Sequence, residues 1–177
     1  PRRRPGKRAD FILRYRPDMA LAVVEAKPDD VPAGEGMQQS KDYAEILGVR
    51  FAYATNGKEI LEFDYITGLE RSLKSYPSPA ELWARLHASS PMPSDSAEQL
   101  LTPAYHLSGK SPRYYQEIAI NRTVEAILRG KKRILLTMAT GTGKTVVAFQ
   151  ICWKLWSSRW NRDGAFRRPR ILYRFRK

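Results

Sequence analysis

The sequence predicts an α/β fold in two parts, and three observations carry that prediction. Short apolar runs rich in β-formers fill the first half around one helical segment. A strand pattern, a glycine loop and a helix pattern follow one another around residue 140. A stretch of proline, serine and alanine at 88–96 separates the two parts and reads as a linker. With 177 residues, 42% of them hydrophobic, the chain can bury one ordinary core, or one small core plus part of a second.

Residues 9–15 and 19–26 read as strands joined by the turn signal Arg16-Pro17-Asp18. Residues 37–47 have helical periodicity and end at Gly48, placed where a left-handed residue closes a helix. Two more strands are expected at 50–54 and 59–64, on either side of Thr55-Asn56-Gly57-Lys58. Ser78 followed by Pro79 looks like a cap with proline in the first turn, opening a short helix over 80–87. Beyond the linker, 114–129 is an amphipathic helix ended by Gly130, 133–138 a strand of the buried type, and 144–157 a helix. The last residues, 167–177, begin like another strand and then turn basic; a truncated or frameshifted product, or a fragment, is the simplest account. There is no internal repeat.

Composition narrows the function classes. No apolar run approaches the ~20 residues of a membrane span, and no charged-then-apolar signal peptide opens the chain. A single cysteine, Cys152, excludes an internal disulfide framework and a cysteine-based zinc site, and His87 and His106 lie too far apart to form a ligand cluster. The expectation is a soluble cytoplasmic protein with no membrane partner. Its net charge of +13 is uneven: residues 1–90 hold 14 Lys/Arg against 13 Asp/Glu, residues 91–177 hold 17 against 5. Such a surplus fits nucleic acid as partner, or else a solvated basic surface or basic tail.

If Tyr15 pairs with Ala20 in the first hairpin, Asp10 falls opposite Glu25, with Cβ atoms ~5 Å apart. Two carboxylates so placed repel unless a divalent cation lies between them, and hard Mg²⁺ takes carboxylate oxygens. Lys27 lies two residues beyond Glu25 and on the same face. Two carboxylates, a metal and a lysine are equipment for phosphodiester hydrolysis. The same triplet also fits an exposed strand end with an ion pair. On the next helix Gln39 and Tyr43 are four residues apart and share a face.

The second constellation is Ala139-Thr140-Gly141-Thr142-Gly143-Lys144-Thr145 between the expected strand and helix. Glycines let backbone N–H groups turn inward around phosphates at a helix N-terminus. Lys144 would reach the β and γ phosphates of ATP, and the Thr145 hydroxyl would bind Mg²⁺. Met138 stands where the strict pattern has glycine. After Thr145 the only acidic residue is Asp163, which follows no apolar strand. With no acid placed to hold Mg²⁺ and the attacking water, weak nucleotide binding without turnover is expected.

The segment around Gln39 and Tyr43 resembles the Gln-x-x-x-Tyr motif that follows Glu-x-Lys in the nuclease domain of the restriction (motor) subunits of type I restriction-modification enzymes. The order of Asp10, Glu25-Ala-Lys27, then Phe51–Gly57, Tyr65–Arg71 and Pro77–Trp83 resembles the same family. The loop at 139–145 is similar to that of superfamily 2 helicases, and 112–119 resembles their Q motif, in which Gln116 would read adenine; simple packing at a helix start is the alternative for Gln116.

The resemblance implies a restriction-endonuclease-like mixed sheet with flanking helices, followed by the first part of a RecA-like P-loop domain. It implies an N-terminally incomplete PD-(D/E)xK nuclease domain over 1–87, a linker over 88–111, and an incomplete motor domain over 112–177. It implies that Asp10 and Glu25 bind metal, that Lys27 is catalytic, and that Gln39 and Tyr43 flank them. It implies Mg²⁺ and ATP as cofactors, and double-stranded DNA with methyltransferase and specificity subunits as partners. The implied activity is ATP-dependent type I deoxyribonuclease. The chain departs from the family in beginning almost at its first core strand, from which an uncovered sheet face is expected. Two other readings fit the same residues: a nuclease-helicase of another defence or repair system, and a truncated DNA-binding remnant without catalysis.

Overall fold

The computed structural model describes residues 8–88, 99–105 and 112–172. The expected linker at 88–96 falls outside the described residues except for Ala88, as do the last five residues of the expected terminal strand. The chain forms two compact units, Pro1–Pro91 and Met92–Lys177.

The first unit is a five-stranded mixed sheet in sequential order: β1 (Phe11–Arg16), β2 (Met19–Ala26), β3 (Phe51–Thr55), β4 (Ile60–Asp64) and β5 (Leu69–Leu73). Only β2 and β3 run parallel. A parallel pair needs a crossover, supplied here by a 3-10 turn, Ala33–Gly36, and helix α1, Met37–Leu47. Gly48 closes α1 in the left-handed region at φ 68°, as its place in the sequence predicts. Helix α2, Pro79–Ala88, opens with a reciprocal cap: Glu81 N–H donates to Ser78 Oγ (3.2 Å) and Ser78 N–H to Glu81 Oε2 (2.6 Å).

The hairpin register differs from the simplest count at its closed end. Shifts on both sides of Arg14 pair Arg14 with Ala20 and Arg16 with Met19, leaving Tyr15 without the expected partner. Past the irregularity, Leu13–Ala22, Ile12–Val23 and Phe11–Val24 pair as the straight count gives; the ladder ends there, one residue short of Asp10.

Strand β2 reads as a continuous apolar run because both its faces are covered. Val23 packs with Tyr43, Ala44, Val49 and Ala52 against α1, while Ala22 and Val24 join Phe51, Tyr53 and Leu82 beside α2. The exposed large apolar side chains among the described residues of this unit are Phe11 and Ile12 on β1, Ile46 on α1, Leu69 on β5 and Tyr76 before α2. β5 carries no apolar alternation that a sequence count could find; the left-handed Gly68 (φ 74°) turns the chain back along β4.

The α2 side holds a charged cluster. Glu62 is fully buried and accepts from Tyr53 Oη (2.5 Å), Arg71 Nε (2.8 Å) and both Arg85 nitrogens (2.9 and 2.8 Å); Arg85 also binds Asp64 (2.7 Å). Burial works to raise the Glu62 pKa, but the Arg85, Tyr53 and Arg71 hydrogen bonds win and hold it below the usual carboxylate range. Burial and the bond to Glu62 push the Tyr53 phenol well up.

In the second unit, α3 (Tyr114–Leu128) packs on α4 (Lys144–Ser157) through Ala119, Ile120, Val124, Leu128, Val147 and Leu155. Residues 99–105 lie along α4 as a strap. Gln150 receives the Tyr105 N–H (2.8 Å) and donates to the Tyr105 carbonyl (2.6 Å), Lys154 Nζ donates to the Leu100 carbonyl (3.1 Å) and Trp153 Nε1 to that of Pro103 (3.3 Å).

The expected buried strand at 133–138 is corrected: these residues form no strand, and Ile134, Leu135 and Leu136 are 40%, 89% and 41% exposed. Their pattern suits a central parallel strand, but a strand exists only with neighbours to pair its N–H and C=O groups. Among the described residues of this unit there is no other strand to pair with.

Candidate functional site

Three elements meet around Glu25. β2 ends at Ala26, which puts Glu25 at the last buried position of the strand, 4% exposed. Lys27 follows as the chain leaves the sheet, its N–H donating to the Thr55 carbonyl (2.8 Å) of β3. α1 then brings Gln39 and Tyr43 over the same place.

The side chains form an unbroken series. Lys27 Nζ lies 3.1 Å from Glu25 Oε1 and 3.2 Å from Gln39 Oε1, and Gln39 Nε2 donates to Tyr43 Oη at 3.3 Å. Asp10, just before β1, accepts the Ala26 N–H on Oδ2 at 2.8 Å and is exposed to solvent. Thus one hydrogen-bonded row holds Glu25, Lys27, Gln39 and Tyr43, and Asp10 is fixed to the backbone between Glu25 and Lys27. Glu25 Oε2 is buried and has no hydrogen-bond partner. Leaving a buried carboxylate oxygen unsatisfied costs ~1–3 kcal/mol or more, a cost that a bound cation would offset. No group of three or more His, Cys, Asp or Glu side chains gathers among the described residues; the acidic donors here number two.

The second constellation sits at the start of α4. Gly141 (φ 79°) and Gly143 (φ 83°) take left-handed conformations that curl the loop, with Thr140, Gly141, Lys144 and Thr145 exposed. Lys144 Nζ rests on the Met138 and Ala139 carbonyls (3.3 and 3.2 Å), and Thr142 Oγ1 donates to the Ala139 carbonyl (2.6 Å). Gln116 is 8% exposed; its Oε1 accepts the Arg113 N–H (2.9 Å) and its Nε2 donates to the Thr142 carbonyl (2.9 Å), so it braces the loop from α3. Any Cβ at Gly143 would come within 2.5 Å of that Nε2. A cavity of about 480 Å³ opens between Tyr115, Ile118 and Arg122 of α3 and Ile134, Leu136 and Met138.

Sequence reasoning missed the Glu62–Arg85–Asp64 cluster and the Gln150–Lys154 anchoring of the strap. For the first a signal existed: Glu62 and Asp64 are two apart on an apolar strand, so both face one side and need cationic partners. For the second none did, because Gln150 and Lys154 read as ordinary helix-surface residues.

Comparison with known proteins gives a consistent result. A family model described as "Type III restriction enzyme, res subunit" matches residues 109–172. The EcoAI type I restriction enzyme endonuclease subunit of Escherichia coli is 45% identical over 170 residues, covering 89% of this chain and 20% of that protein. The EcoKI counterpart from Escherichia coli strain K12 is 30% identical, covering 84% of this chain and 13% of that protein. The solved structure of a fragment described as an HsdR subunit of a type I restriction enzyme from Vibrio vulnificus YJ016 superposes with a TM-score of 0.90 at 60% identity, over 96% of this chain and 32% of that one. The chain therefore spans a fifth or less of the length of the two E. coli relatives. Among the described residues, no helix is long and apolar enough to cross a membrane.

Proposed function

Because this chain is homologous to the N-terminal part of the restriction subunits of type I restriction enzymes, we propose that its first unit is a Mg²⁺-dependent DNA nuclease of restriction-endonuclease-like fold. In the same reading the second unit is the start of a RecA-like, ATP-driven motor. The observation that carries the nuclease reading is the buried, unpartnered Oε2 of Glu25 beside a lysine. An oxygen so placed fits a hard divalent cation, and exposed Asp10 offers a second carboxylate next to it.

Asp10 and Glu25 would hold Mg²⁺, which when bound polarises the phosphate and lowers the pKa of a water. Lys27 is held and aimed by Glu25 on one side and Gln39 on the other. It stabilises the negative charge that grows on the phosphate oxygens, or orients the attacking water. Gln39 ties the lysine to α1, and Tyr43 in turn fixes the Gln39 amide.

In the second unit the curled loop would present its backbone to the phosphates of ATP, for which Lys144 would leave the Met138 and Ala139 carbonyls. Thr145 would bind the accompanying Mg²⁺, and Gln116 braces the loop from α3. In the longer protein, ATP would drive DNA translocation that delivers substrate to the nuclease, with methyltransferase and specificity subunits supplying sequence recognition inside the cell.

The test is nicking of supercoiled plasmid in Mg²⁺ by this chain and its Asp10→Ala and Lys27→Ala variants. Cutting by the unmodified chain that disappears in both variants supports the nuclease assignment. A folded chain that binds DNA without cutting supports the non-catalytic remnant instead.

A further inference from the structure

Gly36 sits at the junction of the 3-10 turn and α1, buried, with φ −83° and ψ −15°. That is ordinary right-handed backbone, open to any residue. Conformation therefore does not explain a glycine here, whereas it does at Gly48 and Gly57, whose φ values are 68° and 84°. Space does. A Cβ on Gly36 would meet Glu25 Cγ at 3.2 Å, Lys27 Cε at 3.3 Å and Lys27 Cγ at 3.4 Å. The three nearest atoms to that missing methyl group, beyond its own turn of chain, all belong to the Glu-x-Lys pair. The start of α1 lies flat on their stems, and this brings Gln39, three residues on, to 3.2 Å from Lys27 Nζ.

We infer that Gly36 is a positioning residue for the nuclease site: its missing side chain lets α1 clamp Glu25 and Lys27 in the geometry that holds the metal and aims the lysine. The inference rests on the nuclease reading. Glu25 is 4% exposed, and its stem has little room to yield. A methyl group at 36 must therefore shift the Lys27 stem, the Glu25 stem or α1 by a few tenths of an ångström, and each shift alters the geometry of the row Glu25–Lys27–Gln39.

The same turn supplies its own control. Gly34 is exposed, and a Cβ there would meet only Leu61 Cδ1, at an ordinary 3.8 Å. Gly34→Ala and Gly36→Ala change the chain alike in composition and in the entropy of its unfolded state, and differ only in what the methyl group touches.

The experiment measures Mn²⁺ binding by calorimetry, Mg²⁺-dependent plasmid nicking, and the thermal unfolding midpoint for the 177-residue chain and both variants. Gly36→Ala is expected to weaken Mn²⁺ binding and slow nicking by about 10–100-fold, the range for residues that support a metal ligand, while it still folds. Gly34→Ala is expected to match the unmodified chain in Mn²⁺ binding and nicking, with an unfolding midpoint no lower. Unchanged Mn²⁺ binding and nicking in Gly36→Ala overturns the inference. So does a Gly36→Ala chain that does not fold, since the close packing would then serve the fold as a whole. If the unmodified chain neither binds Mn²⁺ nor cuts, the nuclease reading falls first and the Gly36 inference with it. That result differs from one in which the unmodified chain and Gly36→Ala bind Mn²⁺ and cut alike.

Discussion

Replacing Arg85 by alanine tests the charged cluster under α2. Glu62 is fully buried and takes four side-chain donors, two of them from Arg85; the same guanidinium holds Asp64, which is 6% exposed. Removing one partner of a buried ion pair costs about 3–5 kcal/mol. Here Arg71 and Tyr53 still bind Glu62, and the Arg85 side chain is already 25% exposed, so water can enter in its place. The lower end, about 3 kcal/mol, is therefore expected at pH 7. The pH dependence has a definite sign. With Arg85 present, the Glu62 pKa is depressed, so its contribution is full above the unfolded value of about 4.3 and fades as pH falls through the folded value. Without Arg85 the largest lowering influence on Glu62 is gone while its burial remains, so the folded pKa moves up and protonation relieves a buried charge left with fewer partners. The penalty should thus shrink between pH 7 and pH 4. Urea denaturation read by peptide-resolved hydrogen exchange over residues 60–64 isolates this unit from the second. A loss below about 1 kcal/mol, the worth of an exposed pair, or an equal loss at both pH values, would refute the reasoning.

Two other predictions concern the second unit. Gln150→Leu leaves the Tyr105 N–H and C=O without their partners, at about 1–3 kcal/mol; hydrogen exchange over residues 99–105 should accelerate by tenfold or more, roughly, and unchanged exchange would show that the strap is held elsewhere. Nucleotide binding by this chain, followed by fluorescence of a labelled ATP analogue, should be weak and lost in Lys144→Ala, with no steady phosphate release; release that depends on Lys144 would mean that a carboxylate outside the loop's neighbourhood supports turnover.

The elements that the sequence located are those fixed by local chemistry. The hairpin turn at Pro17, the left-handed Gly48, the reciprocal Ser78–Glu81 cap and α4 at 144–157 each depend on residues within a few positions of one another. The candidate residues were legible for the same reason: Lys27 follows Glu25 by two, one position past the end of β2, and Gln39 and Tyr43 share a helix face by their spacing of four. What periodicity could not supply was the partner across space. The run 133–138 has the composition of a buried strand, yet among the described residues of its unit it has no strand beside it and stays exposed. Edge strand β5, with its polar sequence Leu-Glu-Arg-Ser-Leu, exists because β4 offers it a ladder. The irregularity at Arg14 moved the inner pairs of the hairpin and spared the outer ones.

Sequence alone therefore singled out the candidate residues and located the local turns and caps around them. Tertiary structure decided how closely they approach: the flat seat of α1 on Glu25 and Lys27, the unpartnered Glu25 oxygen, the arginine that neutralises Glu62 from another element, and the strap tied to α4 by Gln150. The physical reason is range. Turns and caps are settled by φ, ψ and hydrogen bonds between near neighbours, whereas burial, desolvation and close packing depend on groups that meet only after the chain has folded.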